Sequence, residues 1–175
     1  DLEKSHVLPA LIRKIYLAKL LSEGKDAEVV KDIGVNDINE AKTYLNTFGV
    51  SENSVEIWGS GKPKREFLWS EDMADACVFI MKNRNFTDTY QENESDIRNT
   101  HINIGTGKDV SIEQLALTIK NTIGFEGHLV FNTEKPDGTM RKLTDVSKLN
   151  ALGWKHKIEL EDGLNKMYKW YLNNK

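Results

Sequence analysis

Between Ser111 and Ile123 the chain commits to one local structure. Apolar residues at 112, 115, 116, 119 and 123 recur at the period of an α-helix, and Ser111 with Gln114 forms a capping box at its start. A helix with one apolar face must bury that face, so other elements have to supply a facing layer. The same period returns at Val7, Leu8, Leu11, Ile12 and Ile15, running to about Leu21, with Ser5 or His6 near the start and Pro9 where a first turn tolerates it. Ser70 reads as the cap of another helix, with Glu71 and Asp72 in its first turn, a buried face of Met73, Ala76, Cys77 and Ile80, and an end near Asn83. Asp145 to Leu152 forms a short helix stopped by Gly153, and Leu160, Leu164, Met167, Tyr168 and Tyr171 mark a closing one. Between these helices lie short strand patterns at Val55–Trp58, Arg65–Trp69, His101–Ile104 and His128–Phe131. Gly59 to Pro63 reads as a hairpin or tight loop, Pro136-Asp137-Gly138 as a turn, and Arg84 to Thr100 as a loop holding a helical turn. Helices alternating with short strands, without any repeat, predict a small α/β domain spanning 1–175. Within it, Ser22 to Ser54 turns polar and glycine-punctuated with one short helix from Ile38 to Phe48, which reads as an insertion or flap.

Composition closes off several classes of function. Of the 175 residues, 39% are apolar, enough to bury a core, and the net charge of −3 leaves no basic excess for non-specific nucleic-acid binding. No apolar stretch approaches the ~20 residues that span a bilayer, so no membrane association is expected. Cys77 is the only cysteine, which fits a reducing, cytoplasmic setting and makes the sequons at Asn85 and Asn93 coincidental. The chain begins Asp1-Leu2-Glu3 without Met and enters a helical pattern almost at once, as a fragment of a longer protein would.

Two motifs tempt and are set aside. Gly105-Thr106-Gly107 follows a strand pattern and precedes a helix, but Val110 stands where a dinucleotide fingerprint needs its third glycine, so a turn is expected. Tyr171 and Lys175 have Tyr-x-x-x-Lys spacing by chance, the lysine being terminal. His6, His101, His128 and His156 are scattered without an i, i+4 pair, and no metal site is expected.

Trp58-Gly59-Ser60-Gly61-Lys62-Pro63-Lys64-Arg65-Glu66-Phe67-Leu68, followed by Glu71-Asp72-Met73-Ala74, resembles the substrate-lobe signature of extended short-chain dehydrogenase/reductases that act on nucleotide sugars. Ser5-His6-Val7-Leu8-Pro9-Ala10-Leu11, His101-Ile102-Asn103-Ile104-Gly105-Thr106-Gly107 and Lys135-Pro136-Asp137-Gly138-Thr139-Met140-Arg141-Lys142-Leu143 with Asp145 narrow the resemblance to the GDP-L-fucose synthase family. It covers nearly the whole chain except about 22–54. It implies the small mixed helix-and-strand substrate lobe of such an enzyme, without the N-terminal Rossmann lobe that binds NADP and carries the Ser, Tyr and Lys of reduction. The implied partners are a GDP-sugar and the chain's own N-terminal lobe, with the parent a homodimer.

The family reaction epimerises GDP-4-keto-6-deoxy-D-mannose at C3 and C5 and then reduces C4 with NADPH. The 4-keto group acidifies both carbons, so one base and one acid suffice for inversion, and an imidazole with an unperturbed pKa near ~6.5 suits either task. His6 matches the family's catalytic acid; taken alone it would read as a helix-start histidine bonded to backbone. The resemblance assigns the diphosphate to Arg65 and Lys142, an aromatic surface near base or ribose to Trp58, and an apolar wall to Val7 and Leu11. Lys14, where a second arginine is common, Asp137 and Arg141 complete the substrate-binding set. Trp58 on its own would read as core packing. Two other readings stay open: the lobe of another nucleotide-sugar epimerase or dehydratase, and a non-catalytic interaction module on the same fold.

Overall fold

A computed structural model describes residues 2, 4–90 and 96–174. In chain order it contains α1 (Val7–Ser22), α2 (Asp26–Ile33), α3 (Ile38–Thr47), β1 (Ser54–Trp58), β2 (Lys64–Glu66), α4 (Ser70–Asn83), a 3₁₀ turn at Phe86–Thr89, β3 (Asp109–Ser111), α5 (Ile112–Ile123), β4 (His128–Asn132), β5 (Arg141–Lys142), α6 (Ser147–Ala151) and α7 (Leu160–Asn173). The expected mixed α/β class is what forms. Asn93 and Lys175, each part of a motif set aside above, lie outside the described residues.

The chain groups into two compact units, the first made of Asp1–Pro63, Ser111–Met140 and Leu164–Lys175, the second of Lys64–Val110 and Arg141–Gly163. In the first unit α1 is buried at Leu11, Ile12, Ile15, Tyr16, Leu17, Ala18, Leu20 and Leu21, on more than one face. A helix apolar around most of its girth needs cover on several sides, and α5, α2 and β1 all pack against it. The segment expected as a polar flap therefore belongs to this core. It holds two helices instead of one, and four of its apolar residues, Val29, Ala41, Leu45 and Val50, are almost wholly buried. Its polarity belongs to its outer faces. Asp37 caps α3 by accepting from the Asn39 and Glu40 amides. The capping box of α5 forms as expected, with Gly124 left-handed at its end.

β1 pairs in parallel with β4, not with the residues after it, so of the hairpin or tight loop expected at Gly59 to Pro63 it is the loop that forms. The reason lies in the bonds that the 59–63 loop makes instead. The Gly59 amide continues the parallel ladder by donating to the Asn132 carbonyl, while the Gly61 and Pro63 carbonyls accept from Glu113 and Ile112 at the start of α5. β2 pairs with β5, also in parallel, within a three-stranded sheet of order β3, β2, β5.

The second unit packs Leu68, Phe79, Ile80, Ile102 and Ile104 around Ala76, Leu149 and Trp154. His101–Ile104 contributes side chains to this core but forms no strand, because its backbone has no ladder partner among the described residues. The buried residues of α4 are Asp72 and Ala76, whereas Met73 and Cys77 are exposed, which corrects the face expected from spacing. Asp72 is drawn inward because its carboxylate accepts from the Lys157 and Ile158 amides at 3.0 and 2.9 Å. That bond rotates the apolar stripe by about one position.

A tyrosine cluster in the first unit makes the fold sensitive to alkali. Tyr171 donates to Asp32 Oδ2 at 3.1 Å, Arg13 forks onto Oδ1 of the same carboxylate, and Tyr16 meets Tyr168 and Tyr171 edge-on. Burial, then the neighbouring Tyr16 and Glu23, pushes the Tyr168 phenol up to about 12, and burial with Asp32 raises Tyr171 as well. A raised folded value means that the neutral phenol is the form the fold holds. The stabilisation is complete below the ordinary value of 10.0 and is lost as pH climbs from there toward 12. A falling melting temperature across pH 10 to 12, with a shallower fall in Tyr171→Phe, is the expected result of a thermal-melt series.

Candidate functional site

The residues that sequence reasoning nominated divide between the two units. In the first, His6 takes the N-cap position of α1 with extended backbone, φ −66° and ψ 156°, and its carbonyl accepts the Ala10 amide. Its imidazole is exposed and makes no capping bond. The helix-start role that the residue would have by default is thus left to its backbone. Val7 is half-buried beside it, whereas Leu11 is only 4% exposed and belongs to the core, so of the expected apolar wall only Val7 keeps surface.

Lys14 does not reach toward a ligand. Its ammonium donates to the Phe48 carbonyl at 2.7 Å and to the Glu56 carbonyl at 3.2 Å, tying α1 to the end of α3 and to β1. Burial lowers its pKa, with Glu56 opposing. Asp137 is likewise a structural clasp. Its Oδ1 accepts the Ser60 amide at 2.8 Å and its Oδ2 the Ser60 hydroxyl at 2.7 Å, bonds that hold the carboxyl below its ordinary value. Gly59, at φ +83°, lies so close beneath that a Cβ there would meet Asp137 Oδ1 at 2.3 Å, which explains why this turn needs glycine.

The clasp presents Trp58 at the end of β1. The ring is 64% exposed, so core packing does not account for it, and Lys135 Nζ lies 5.3 Å from its centroid. Lys135 opens the Lys135–Leu143 run, and nothing in local spacing links it to a residue 77 positions earlier.

In the second unit the β2–β5 register sets Arg65 against Lys142 and Lys64 against Arg141. Partners in register project to one face of a sheet, and neighbours along a strand to opposite faces. One face therefore carries Arg65 with Lys142 and the other Lys64 with Arg141. The second face is balanced by an acid: Arg141 Nε donates to Asp109 Oδ2 at 2.5 Å, and that guanidinium, with Lys64 farther off, holds the Asp109 carboxyl below its ordinary value. Arg141 thus spends its Nε within the protein, while its side chain stays exposed. Lys142 is exposed and makes no ion pair among the described residues. Arg65 is half-buried, with Nη1 donating to the Lys64 carbonyl at 2.6 Å. Two cations set opposite each other on one face can hold an oxyanion such as a diphosphate, and a guanidinium is the cation best matched to its oxygens.

The Gly105-Thr106-Gly107 turn is occupied from within. Glu66 Oε1 accepts the Thr106 amide at 2.7 Å and the Gly107 amide at 2.6 Å. The donors that a dinucleotide phosphate would need are therefore spent on a carboxylate, whose charge would also repel a phosphate. This turn therefore does not fit a dinucleotide phosphate. Among the described residues there is also no group of three or more His, Cys, Asp or Glu suited to a metal ion, and no helix long and apolar enough to cross a membrane.

Comparison with known proteins supplies the setting. Residues 1–105 match the NAD dependent epimerase/dehydratase family. The chain is 42% identical over 172 residues to GDP-L-fucose synthase 1 of Arabidopsis thaliana, covering 98% of this chain and 41% of that protein. Among solved structures it superposes on a GDP-6-OMe-4-keto-L-xylo-heptose reductase from C. jejuni with TM-score 0.93 and 54% identity, over 100% of this chain and 50% of that one. It also matches a GDP-mannoheptose C4 reductase from Campylobacter jejuni with NADP bound, with TM-score 0.88 and 53% identity, over 98% of this chain and 48% of the other. The chain thus spans about two fifths of that curated relative and half of each of these solved chains.

Proposed function

The chain belongs to the NAD-dependent epimerase/dehydratase family, and from that premise we propose that it is the GDP-sugar-binding part of an NADP-dependent reductase or epimerase-reductase acting on a 4-keto sugar. The observation that carries this reading is the cross-strand pair of Arg65 and Lys142, two cations on one face with no ion pair for Lys142 among the described residues, in a chain of net charge −3. On this reading the pair holds the diphosphate, exposed Trp58 offers its ring to base or ribose, and His6 exchanges a proton at a carbon next to the keto group. NADP, which one of the matched Campylobacter structures holds, would be bound by the part of the protein that precedes this chain and would supply the hydride. The single cysteine supports a reducing, cytoplasmic setting.

The sugar has two candidates. The signature residues led to 4-keto-6-deoxymannose and a GDP-L-fucose product. The higher identity to the heptose reductases, 53–54% against 42% for the Arabidopsis enzyme, favours a 4-keto heptose. Both substrates should be offered to the complete gene product and to the 175-residue chain, following NADPH absorbance. The complete protein is expected to oxidise NADPH with one of them and the isolated chain with neither, since hydride transfer needs a held nicotinamide. Oxidation by the isolated chain would overturn the division of labour. A complete protein inert toward both, with no Tyr-x-x-x-Lys preceding this chain, would leave the interaction-module reading.

A further inference from the structure

Glu66 follows Arg65 in β2 and faces the opposite side of the sheet. Its carboxylate gathers donors from two separate segments. Oε1 accepts the Thr106 and Gly107 amides, and Oε2 accepts the Thr144 amide at 3.0 Å and the Thr144 hydroxyl at 2.5 Å. Thr144 lies two residues beyond Lys142. β5 itself is only two residues long, and so short a strand has little pairing of its own to keep it in place. The Glu66–Thr144 bonds extend the β2–β5 link past the end of the ladder, through a side chain. Gly105 shows how closely this is packed: a Cβ there would meet Thr144 Oγ1 at 2.3 Å and Glu66 Oε1 at 2.5 Å. Burial pushes the Glu66 carboxyl up, but the bonds from Thr144, Gly107 and Thr106 outweigh it and hold the group below its ordinary value, so it stays an acceptor at neutral pH.

We propose that Glu66 is the positioning residue of the anion site, fixing β5 against β2 through Thr144 so that Lys142 stays in register opposite Arg65. This rests on the reading of Arg65 and Lys142 as the diphosphate pair. Glu66 touches no ligand. It acts through Thr144, and its neighbour Arg65 is the group that binds.

A double-mutant cycle in the complete protein, titrated with GDP by calorimetry, separates the possibilities. Glu66→Gln keeps the size but turns one acceptor into a donor facing the Thr144 amide. It should weaken GDP roughly tenfold, a coupling well within the range for residues sharing one network. Once Arg65 is already Ala, the same change should cost much less, because the second cation has lost its partner. Thr144→Val, which removes one hydroxyl donor and leaves the amide, should give a smaller loss with the same non-additivity, and it serves if Glu66→Gln fails to fold. Fully additive losses, or an unchanged affinity in both variants, would overturn the positioning role while leaving Arg65 as a ligand contact. If the unaltered protein does not bind GDP, the diphosphate reading itself falls and the positioning role with it.

Discussion

His6→Gln in the complete protein is expected to slow exchange at the carbons beside the keto group by ~10²- to 10⁴-fold, the usual contribution of a general acid or base, while GDP-sugar binding stays unchanged. Glutamine keeps hydrogen-bonding capacity at the start of α1 but cannot carry a proton at neutral pH. Because the imidazole makes no capping bond, its loss should change stability by no more than about 0.5 kcal/mol, as for an ordinary surface substitution. The measurement is solvent deuterium incorporation at C3 and C5 alongside a thermal melt. A normal incorporation rate in the variant would end the proton-transfer role, and a collapsed melt would return His6 to the structure of the helix start. A third result is informative about the sugar. If the unaltered protein reduces a 4-keto heptose without incorporating deuterium, the reaction is a C4 reduction alone and His6 has no epimerisation to perform.

The second large effect is expected at Arg65. Arg65→Ala should weaken GDP-sugar binding by about 1.5 to 3 kcal/mol, tenfold to over a hundredfold in affinity, the range for hydrogen bonds to charged groups. The register explains why the loss should exceed that of a generic cation. Arg65 and Lys142 share one face as direct partners, whereas Arg141 on the other face is already held by Asp109. Lys155→Ala is the appropriate control, an exposed lysine without an ion pair among the described residues. Lys108 is unsuited, since its ammonium lies 2.8 Å from Glu159. Equal affinities for the Arg65→Ala and Lys155→Ala proteins, both folded, would remove the diphosphate assignment. The Arg65 effect should also shrink at high salt, because both cations sit at a surface where ionic screening reaches.

What the sequence determined by itself was local and periodic. α1, α5 and α7 were legible because apolar residues at helical spacing and a capping box are properties of a few consecutive residues. The Trp-Gly-Ser-Gly-Lys-Pro-Lys-Arg-Glu run was legible because family signatures are contiguous. The alternation of helices and short strands was enough for the α/β class. What only the tertiary structure decided were pairings between segments far apart in the chain. Residues 22–54 look like a polar flap because charged and amide side chains outnumber the apolar ones, yet α1, apolar around most of its girth, needs the segment as cover. β1 finds β4 in place of its neighbour because the 59–63 loop spends its carbonyls on α5 and its glycine amide on the β4 end. Lys14 and Asp137 look like ligands by type and motif, but partners 34 and 77 positions away already hold them. Glu66 is the converse case. Its type and place in the motif say nothing of a network that gathers donors from residues 40 and 78 positions on, because a carboxylate's role is set by which amides the fold turns toward it.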